Sequence, residues 1–355
     1  MRPNPAVERI APYVGGRPIE EVAREYGVTD VVKLASNESP TEPFPEVVEA
    51  VIAAASGINR YPDQHVFHLS GELAEVLGVT REHLWFGGGS SELLGAIALS
   101  AGGPGTTAVF AWPSFAMYPI GTQRSGADPV MVPLDDAHRH DLAGLGDAID
   151  ERTTIVYVCN PNNPTGTVLA GDEVEAFCRS APSDVLVVVD EAYHEYVTDP
   201  AHRSMLPLAV RRPNVVVLRT FSKIYGLAGL RIGYAVGDPE TLRALRRSQR
   251  PFTVTQPAQV AARTAIRFPE RVEERRAENA AGRRVLEAGL ADRGLRVAAS
   301  QTNFVYTEIG PTVESVNDGL LERGIIVRRF GEAIRVTVGT EVENRRFLLA
   351  LDQVL

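Results

Sequence analysis

Apolar positions in the middle of the chain come in short continuous runs rather than in strict alternation. Such runs occur at Ala108–Ala111, Pro129–Val132, Thr154–Val158, Val185–Val189, Val215–Leu218 and Ile232–Val236, with helical stretches between several of them. A strand covered on both faces reads this way, so the pattern predicts an α/β fold with a mainly parallel sheet. After about Arg246 the texture changes. Residues 257–293 read as largely helical and rich in Arg and Glu. Shorter strands are expected at Leu295–Ala299, Asn303–Thr307, Ile325–Arg328 and Ile334–Val338, and a last helix from Glu341. At the other end, a helix over Ile19–Glu25 and a strand over Val31–Leu34 belong to an arm. Pro45 suits the first turn of a helix running to about Ala55. The organisation expected is an arm (1–36) that partly joins the small domain, a large domain (37–245) and a smaller α+β domain (246–355).

A chain of 355 residues with 44% apolar content can build more than one core. The formal net charge of −9 argues against nucleic acid or a membrane surface as partner. The two cysteines, Cys159 and Cys178, lack metal-ligand spacing and suit a reduced, cytoplasmic protein. No apolar run reaches spanning length, and residues 1–10 carry no signal-peptide core. The Asp/His-rich stretch 135–141 reads as a solvated loop in which Asp141 caps a helix, not as a metal site. Of 36 basic residues only Lys33 and Lys223 are lysines, so chemistry that needs an amine has two candidates.

Four segments concentrate reactive groups just beyond predicted strands or at a predicted helix start, where open α/β sheets bind ligands. Thr220-Phe221-Ser222-Lys223, with Arg231 eight residues on, puts hydroxyl donors and a cation beside an amine; that suits a phosphate next to a Schiff base, or a lysine in a polar turn. Asp190, at the end of the run VVVD, is a carboxylate at the end of a buried strand. It needs a partner such as a protonated pyridine nitrogen, unless it caps a helix or joins an ion pair. Asn160–Gly166 (NPNNPTG) is a turn that can also aim an amide at a ring substituent. Gly87-Gly88-Gly89-Ser90-Ser91 before a helix makes an anion site, yet it is neither a dinucleotide fingerprint nor a P-loop.

With KLASNES (33–39), NRYPD (59–63), QTNFV (301–305) and IRVTVGT (334–340), these motifs resemble in content and order the fold-type I pyridoxal-phosphate aminotransferases. More narrowly, the chain is similar to the histidinol-phosphate aminotransferase family and its aromatic aminotransferase relatives. The resemblance spans nearly the whole chain. It implies pyridoxal 5'-phosphate as cofactor, with Lys223 as the Schiff-base lysine that also shuttles a proton. It implies Asp190 on the pyridinium nitrogen, Tyr193 and Asn163 on the ring oxygen, and Phe115 against the ring face. Gly89, Ser90, Ser91, Thr220, Ser222 and Arg231 would hold the phosphate. Tyr61 would reach the phosphate from a neighbouring subunit, which implies a homodimer with shared sites. Arg335, Arg328, Tyr13 and Asn37 would meet the substrate, an amino or oxo acid. The expected reaction is amino transfer between glutamate and histidinol phosphate. The arm reads NESPTEPFP, without the glycine expected shortly after NE(N/S)P, and so keeps an aromatic amino acid aminotransferase as the second expectation.

Overall fold

The computed structural model describes residues 5–13 and 15–355. In chain order its strands are β1 (Val32–Lys33), β2 (Leu84–Gly87), β3 (Thr107–Trp112), β4 (Asp128–Pro133), β5 (Thr153–Cys159), β6 (Leu186–Asp190), β7 (Val215–Thr220), β8 (Gly233–Gly237), β9 (Phe304–Glu308), β10 (Ile325–Ile326), β11 (Arg328–Phe330) and β12 (Ala333–Thr337). Seven of them form one sheet in the order β2-β8-β7-β6-β5-β3-β4. Strands β3 to β7 are mutually parallel, and β8 runs antiparallel to both β7 and β2.

The continuous valine runs follow from this sheet's burial on both sides. Val156, Val158, Val187, Val189, Val215 and Val217 belong to one apolar cluster. The intervening Ile155, Tyr157, Val188, Val216 and Leu218 belong to another. Successive side chains of a strand point to opposite faces, so each run feeds two cores at once. Ala258, Ala261, Ala262 and Ala265 of the helix Gln256–Ala265 share the first cluster.

A second layer carries the antiparallel order β11-β12-β9 and a separate parallel pair, β1 with β10. Ile334, Val336 and Val338 turn inward against Leu286 and Leu290 of the long helix Pro269–Ala291 and against Phe347 and Leu351 of the final helix, Glu341–Leu351.

Several elements depart from the sequence expectation. β2 was not foreseen: LWFG is four residues long and carries no alternation to mark it. The expected strand Leu295–Ala299 makes only a bridge, Val297 to Thr307. The expected strand Ile325–Arg328 divides, with Ile325–Ile326 pairing with β1 and Arg328–Phe330 with β12. The helical stretch 257–293 is broken before Pro269, whose ring supplies no N–H to continue the preceding helix. Asp141 does cap a helix, accepting from the Gly144 amide at 3.0 Å. Among the described residues no group of three His, Cys, Asp or Glu side chains could hold a metal, and no helix is long and apolar enough to cross a membrane.

Candidate active site

The loops that follow β3, β5, β6 and β7 open at the same edge of the sheet. These four strands are adjacent in the order β7-β6-β5-β3, so Thr220, Asp190, the turn 160–166 and Phe115 converge. They line a cavity of about 200 Å³ that gathers Tyr13, Asn37, Ser90, Ser91, Phe115, Asn163, Asp190, Tyr193, Thr220, Ser222, Lys223, Arg231, Arg328 and Arg335. A larger cavity of about 420 Å³, lined in part by residues 39–41, holds hydroxyls and the carboxylates of Glu278 and Glu341 but no lysine amine.

One end of the cavity is built for an anion. Gly89 has φ +84° and precedes the helix Ser90–Ala101. That φ is strained for any residue with a Cβ, and a Cβ there would also stand 2.5 Å from Arg231 Nη2. Arg231 donates to the Ser222 hydroxyl at 3.2 Å, and its Nη2 lies 3.4 Å from the Ser91 hydroxyl. A Cβ on Gly233 would meet the Ser90 amide nitrogen at 2.8 Å, which ties the helix start to β8. Free amides at a helix N-terminus, hydroxyls and a guanidinium make a phosphate cradle.

Toward the sheet, Asp190 is buried at the end of β6. Its carboxylate accepts from the Tyr118 hydroxyl at 3.0 Å and the Ala192 amide at 3.2 Å. Burial raises its pKa to about 6, and the two donors restrain that rise. The ion pair considered for this residue belongs to its neighbour: Glu191 pairs with Arg219 at 2.9 Å, leaving Asp190 to face the cavity. Tyr118 was overlooked in the sequence, although it stands three residues beyond Phe115.

Lys223 lies between these two ends. Its Nζ donates to the Asn37 carbonyl at 3.2 Å and sits 5.6 Å from the centre of the Tyr193 ring. Burial, followed by the charge of Arg335, lowers its pKa to about 7, which leaves a large neutral fraction at neutral pH. Lys33 instead pairs with Glu38 at 3.0 Å. Asn37 adopts φ +55° and ties the arm to the site: its Nδ2 donates to the Tyr193 hydroxyl at 2.9 Å, and its own amide donates to Thr337 Oγ1 at 3.0 Å.

Arg335 of β12 turns toward the cavity and Thr337, on the same face, toward Asn37, while Ile334 and Val336 turn to the core, as the alternation predicts. Arg335 is buried. It donates to the Asn163 side-chain oxygen and, at 2.7 Å, to the Ala35 carbonyl. Its Nε has no partner among the described residues, and its guanidinium carbon lies 5.2 Å from the Phe304 ring centre and 5.3 Å from that of Phe330. Burial lowers its pKa to about 10, so it stays charged at neutral pH. Arg328 is its direct cross-strand partner; it donates to the Gly15 carbonyl at 2.9 Å and lies 6.0 Å from the centre of the Tyr13 ring. Its neighbour Arg329 meets Glu314 at 3.4 Å. Tyr61 stands outside this cavity, 83% exposed and stacked on Phe252 at 4.7 Å.

Comparison with known proteins accords with this geometry. The model for aminotransferase class I and II matches residues 29–351. Histidinol-phosphate aminotransferase of Moorella thermoacetica is 43% identical over 356 residues, covering 99% of this chain and 92% of the relative. An aromatic amino acid aminotransferase of Streptomyces avermitilis is 44% identical over 317 residues, covering 89% of this chain and 88% of the relative. The crystal structure of histidinol-phosphate aminotransferase from Sinorhizobium meliloti, in complex with pyridoxal-5'-phosphate, superposes with a TM-score of 0.92 at 30% identity and covers 99% of this chain and 97% of that one. With a family match across nine-tenths of its length and the anion cradle, buried carboxylate and amine in one cavity, the chain belongs to the aminotransferase class I and II family.

Proposed function

We propose that the protein is a pyridoxal-phosphate-dependent aminotransferase that moves an amino group between glutamate/2-oxoglutarate and histidinol phosphate/imidazole acetol phosphate. When bound, the cofactor supplies a reactive carbonyl and an electron sink. The donor set fits it: a phosphate cradle that a Cβ on Gly89 would fill, an amine of lowered pKa, and a buried carboxylate in the same cavity. Gly89, Ser90, Ser91, Thr220, Ser222 and Arg231 would hold the phosphate. Asp190 would face the ring nitrogen, Tyr193 and Asn163 the ring oxygen, and Phe115 the ring face.

Lys223 would bind the cofactor's carbonyl carbon and then carry the proton at the substrate's α-carbon. An amine with a pKa near 7 suits both tasks, because it is neutral often enough to attack and basic enough to take a proton. Asn37 holds that amine through its backbone carbonyl and orients the Tyr193 hydroxyl through its side-chain Nδ2. Arg335, which lines the cavity, would fix an anionic group of the substrate, with Asn163 and Ala35 keeping the guanidinium rigid.

The observation that carries the substrate assignment is the cross-strand pair Arg328–Arg335 facing one cavity. A phosphate dianion carries more charge than one carboxylate, and a second guanidinium beside Arg335 adds a forked contact suited to it. Relatives named for histidinol phosphate that align over the full length support the same reading. An aromatic amino acid aminotransferase is the second reading, favoured by the rings of Tyr13 and Phe330 beside Arg328. A kcat/KM panel with histidinol phosphate, phenylalanine and tyrosine as amino donors tests the choice. Histidinol phosphate is expected to lead by roughly 30-fold, the equivalent of one partly exposed guanidinium–phosphate contact of about 2 kcal/mol. Phenylalanine or tyrosine in the lead would establish the second reading.

The exposed Tyr61 supports a homodimer in which this residue completes the neighbouring site. The acidic balance and the two free, buried cysteines support a cytoplasmic enzyme. Residues 37–245 would form the cofactor-binding domain and 246–355 the smaller one, joined by part of the 1–36 arm through β1.

A further inference from the structure

Asp190 has two donors. The Ala192 amide is backbone and would be present with any side chain there, but the Tyr118 hydroxyl is a choice made by the sequence. Tyr118 stands on the first turn of the helix Met117–Ser125 and is fully buried. Its ring lies flat on Tyr157, with centroids 4.7 Å apart and planes 9° from parallel, and is edge-on to Phe115 at 5.8 Å. Rings on both sides leave the hydroxyl little freedom, so its position 3.0 Å from Asp190 Oδ2 is built in. Burial, then the Asp190 charge, holds the phenol well above its ordinary pKa, so it stays a donor. The other titratable groups acting on Asp190 are Glu191, turned away onto Arg219, Lys223 across the cavity, and the neutral Cys159 thiol.

We propose that Tyr118 is a positioning residue for Asp190: its O–H keeps the carboxylate ionised and oriented toward the cofactor's ring nitrogen. The cofactor half of this statement rests on the reading of Asp190 given above, whereas the coupling of Tyr118 to Asp190 is a property of the protein alone. A carboxylate buried without its donors drifts toward the neutral acid, and a neutral acid cannot hold a ring proton.

The test uses the full-length protein in both forms. In the cofactor-free protein labelled with ¹³C-aspartate, the Asp190 resonance is assigned by its loss in D190N. Removing the hydroxyl with Tyr118→Phe should raise the Asp190 titration midpoint by about one pH unit, the scale of one lost hydrogen bond to a carboxylate. Cofactor affinity, read by absorbance, should fall about tenfold, and kcat should fall similarly with KM for the amino donor little changed. Tyr157→Phe keeps the ring stack, removes a hydroxyl that does not touch Asp190, and should move none of these. Should Tyr118→Phe fold poorly, 3-fluorotyrosine incorporated at position 118 keeps the shape, donates more strongly and should lower the midpoint. An unmoved Asp190 midpoint in a folded variant, with only the melting temperature changed, would overturn the proposal. A shifted midpoint with cofactor affinity unchanged in both Y118F and D190N would overturn the ring-nitrogen assignment, and the positioning role with it.

Discussion

Replacing Arg328 by alanine separates the two substrate readings more sharply than removing Arg335. Arg335 is buried, and its loss would leave the Asn163 side-chain oxygen and the Ala35 carbonyl without their donor as well as removing the anchor for the substrate. Two interrupted charge-assisted contacts at about 1.5–3 kcal/mol each, with a partly relaxing pocket, predict a loss of about 3–4 kcal/mol, or 10²–10³ in kcat/KM, for any amino acid. Arg328 is only partly buried and reaches the Gly15 carbonyl of the arm at 2.9 Å. With histidinol phosphate its removal deletes one guanidinium–phosphate contact. Partial exposure brings that to about 2 kcal/mol, roughly 30-fold. Phenylalanine has no second anion, so only the hold on the arm is lost, about 0.5 kcal/mol or two- to threefold. The assay is kcat/KM of Arg328→Ala on both donors against wild type, with Arg335→Ala alongside. A roughly tenfold difference between the donors supports a site shaped for phosphate. Equal, small losses on both would refute the two-arginine argument and remove Arg328 from the substrate site.

Lys223→Ala should abolish both turnover and the visible absorbance of the cofactor-loaded protein, while Lys33→Ala, which breaks only an ion pair with Glu38, should leave both intact; in wild type the rate of cofactor uptake should climb as pH rises toward about 7 and then level off, and a profile still climbing at pH 9 would contradict the burial of this amine. Mixing inactive Tyr61 and inactive Lys223 variants should restore partial activity through hybrid dimers, and an active protein that sediments as a strict monomer would exclude shared sites. His140 is buried against the Asn162 side-chain oxygen at 3.1 Å, and burial lowers its pKa from 6.5 to about 4. Between those values the unfolded chain takes up a proton that the folded chain refuses, so stability should fall as pH drops from about 6.5 to 4. Denaturant titrations of His140→Gln should show a shallower decline across that window, and an unchanged slope would assign the acid sensitivity elsewhere.

The large parallel sheet and most of the loops that line the candidate site were legible in the sequence, because both depend on short stretches of chain. A valine run such as 187–189 can satisfy two cores only as a strand covered on both faces, and the residues just past it then stand at the ligand edge of the sheet. Asp190, Asn163, Thr220 and Lys223 were found in this way, each within a few residues of a strand end. The glycine run before Ser90 announced an anion site for an equally local reason, since only glycine admits φ +84° with Arg231 beside it. What the sequence could not reveal lies at long separation. β2 is a four-residue strand whose place is decided by pairing with β8, about 150 residues later. The stretch 325–328 looks like one strand, yet it is shared between β1 and β12 because the arm returns to cover it. The same return brings Ala35 to Arg335, 300 residues away, and Asn37 to Lys223, 186 residues away. Tyr118 reaches Asp190 only because β3 and β6 flank β5 in the sheet. Residue types and their local order were therefore enough to name the chemistry. The burial that sets the pKa values of Lys223 and Asp190, and the cross-strand register that sets two guanidinium groups in one cavity, exist only once distant segments pack together.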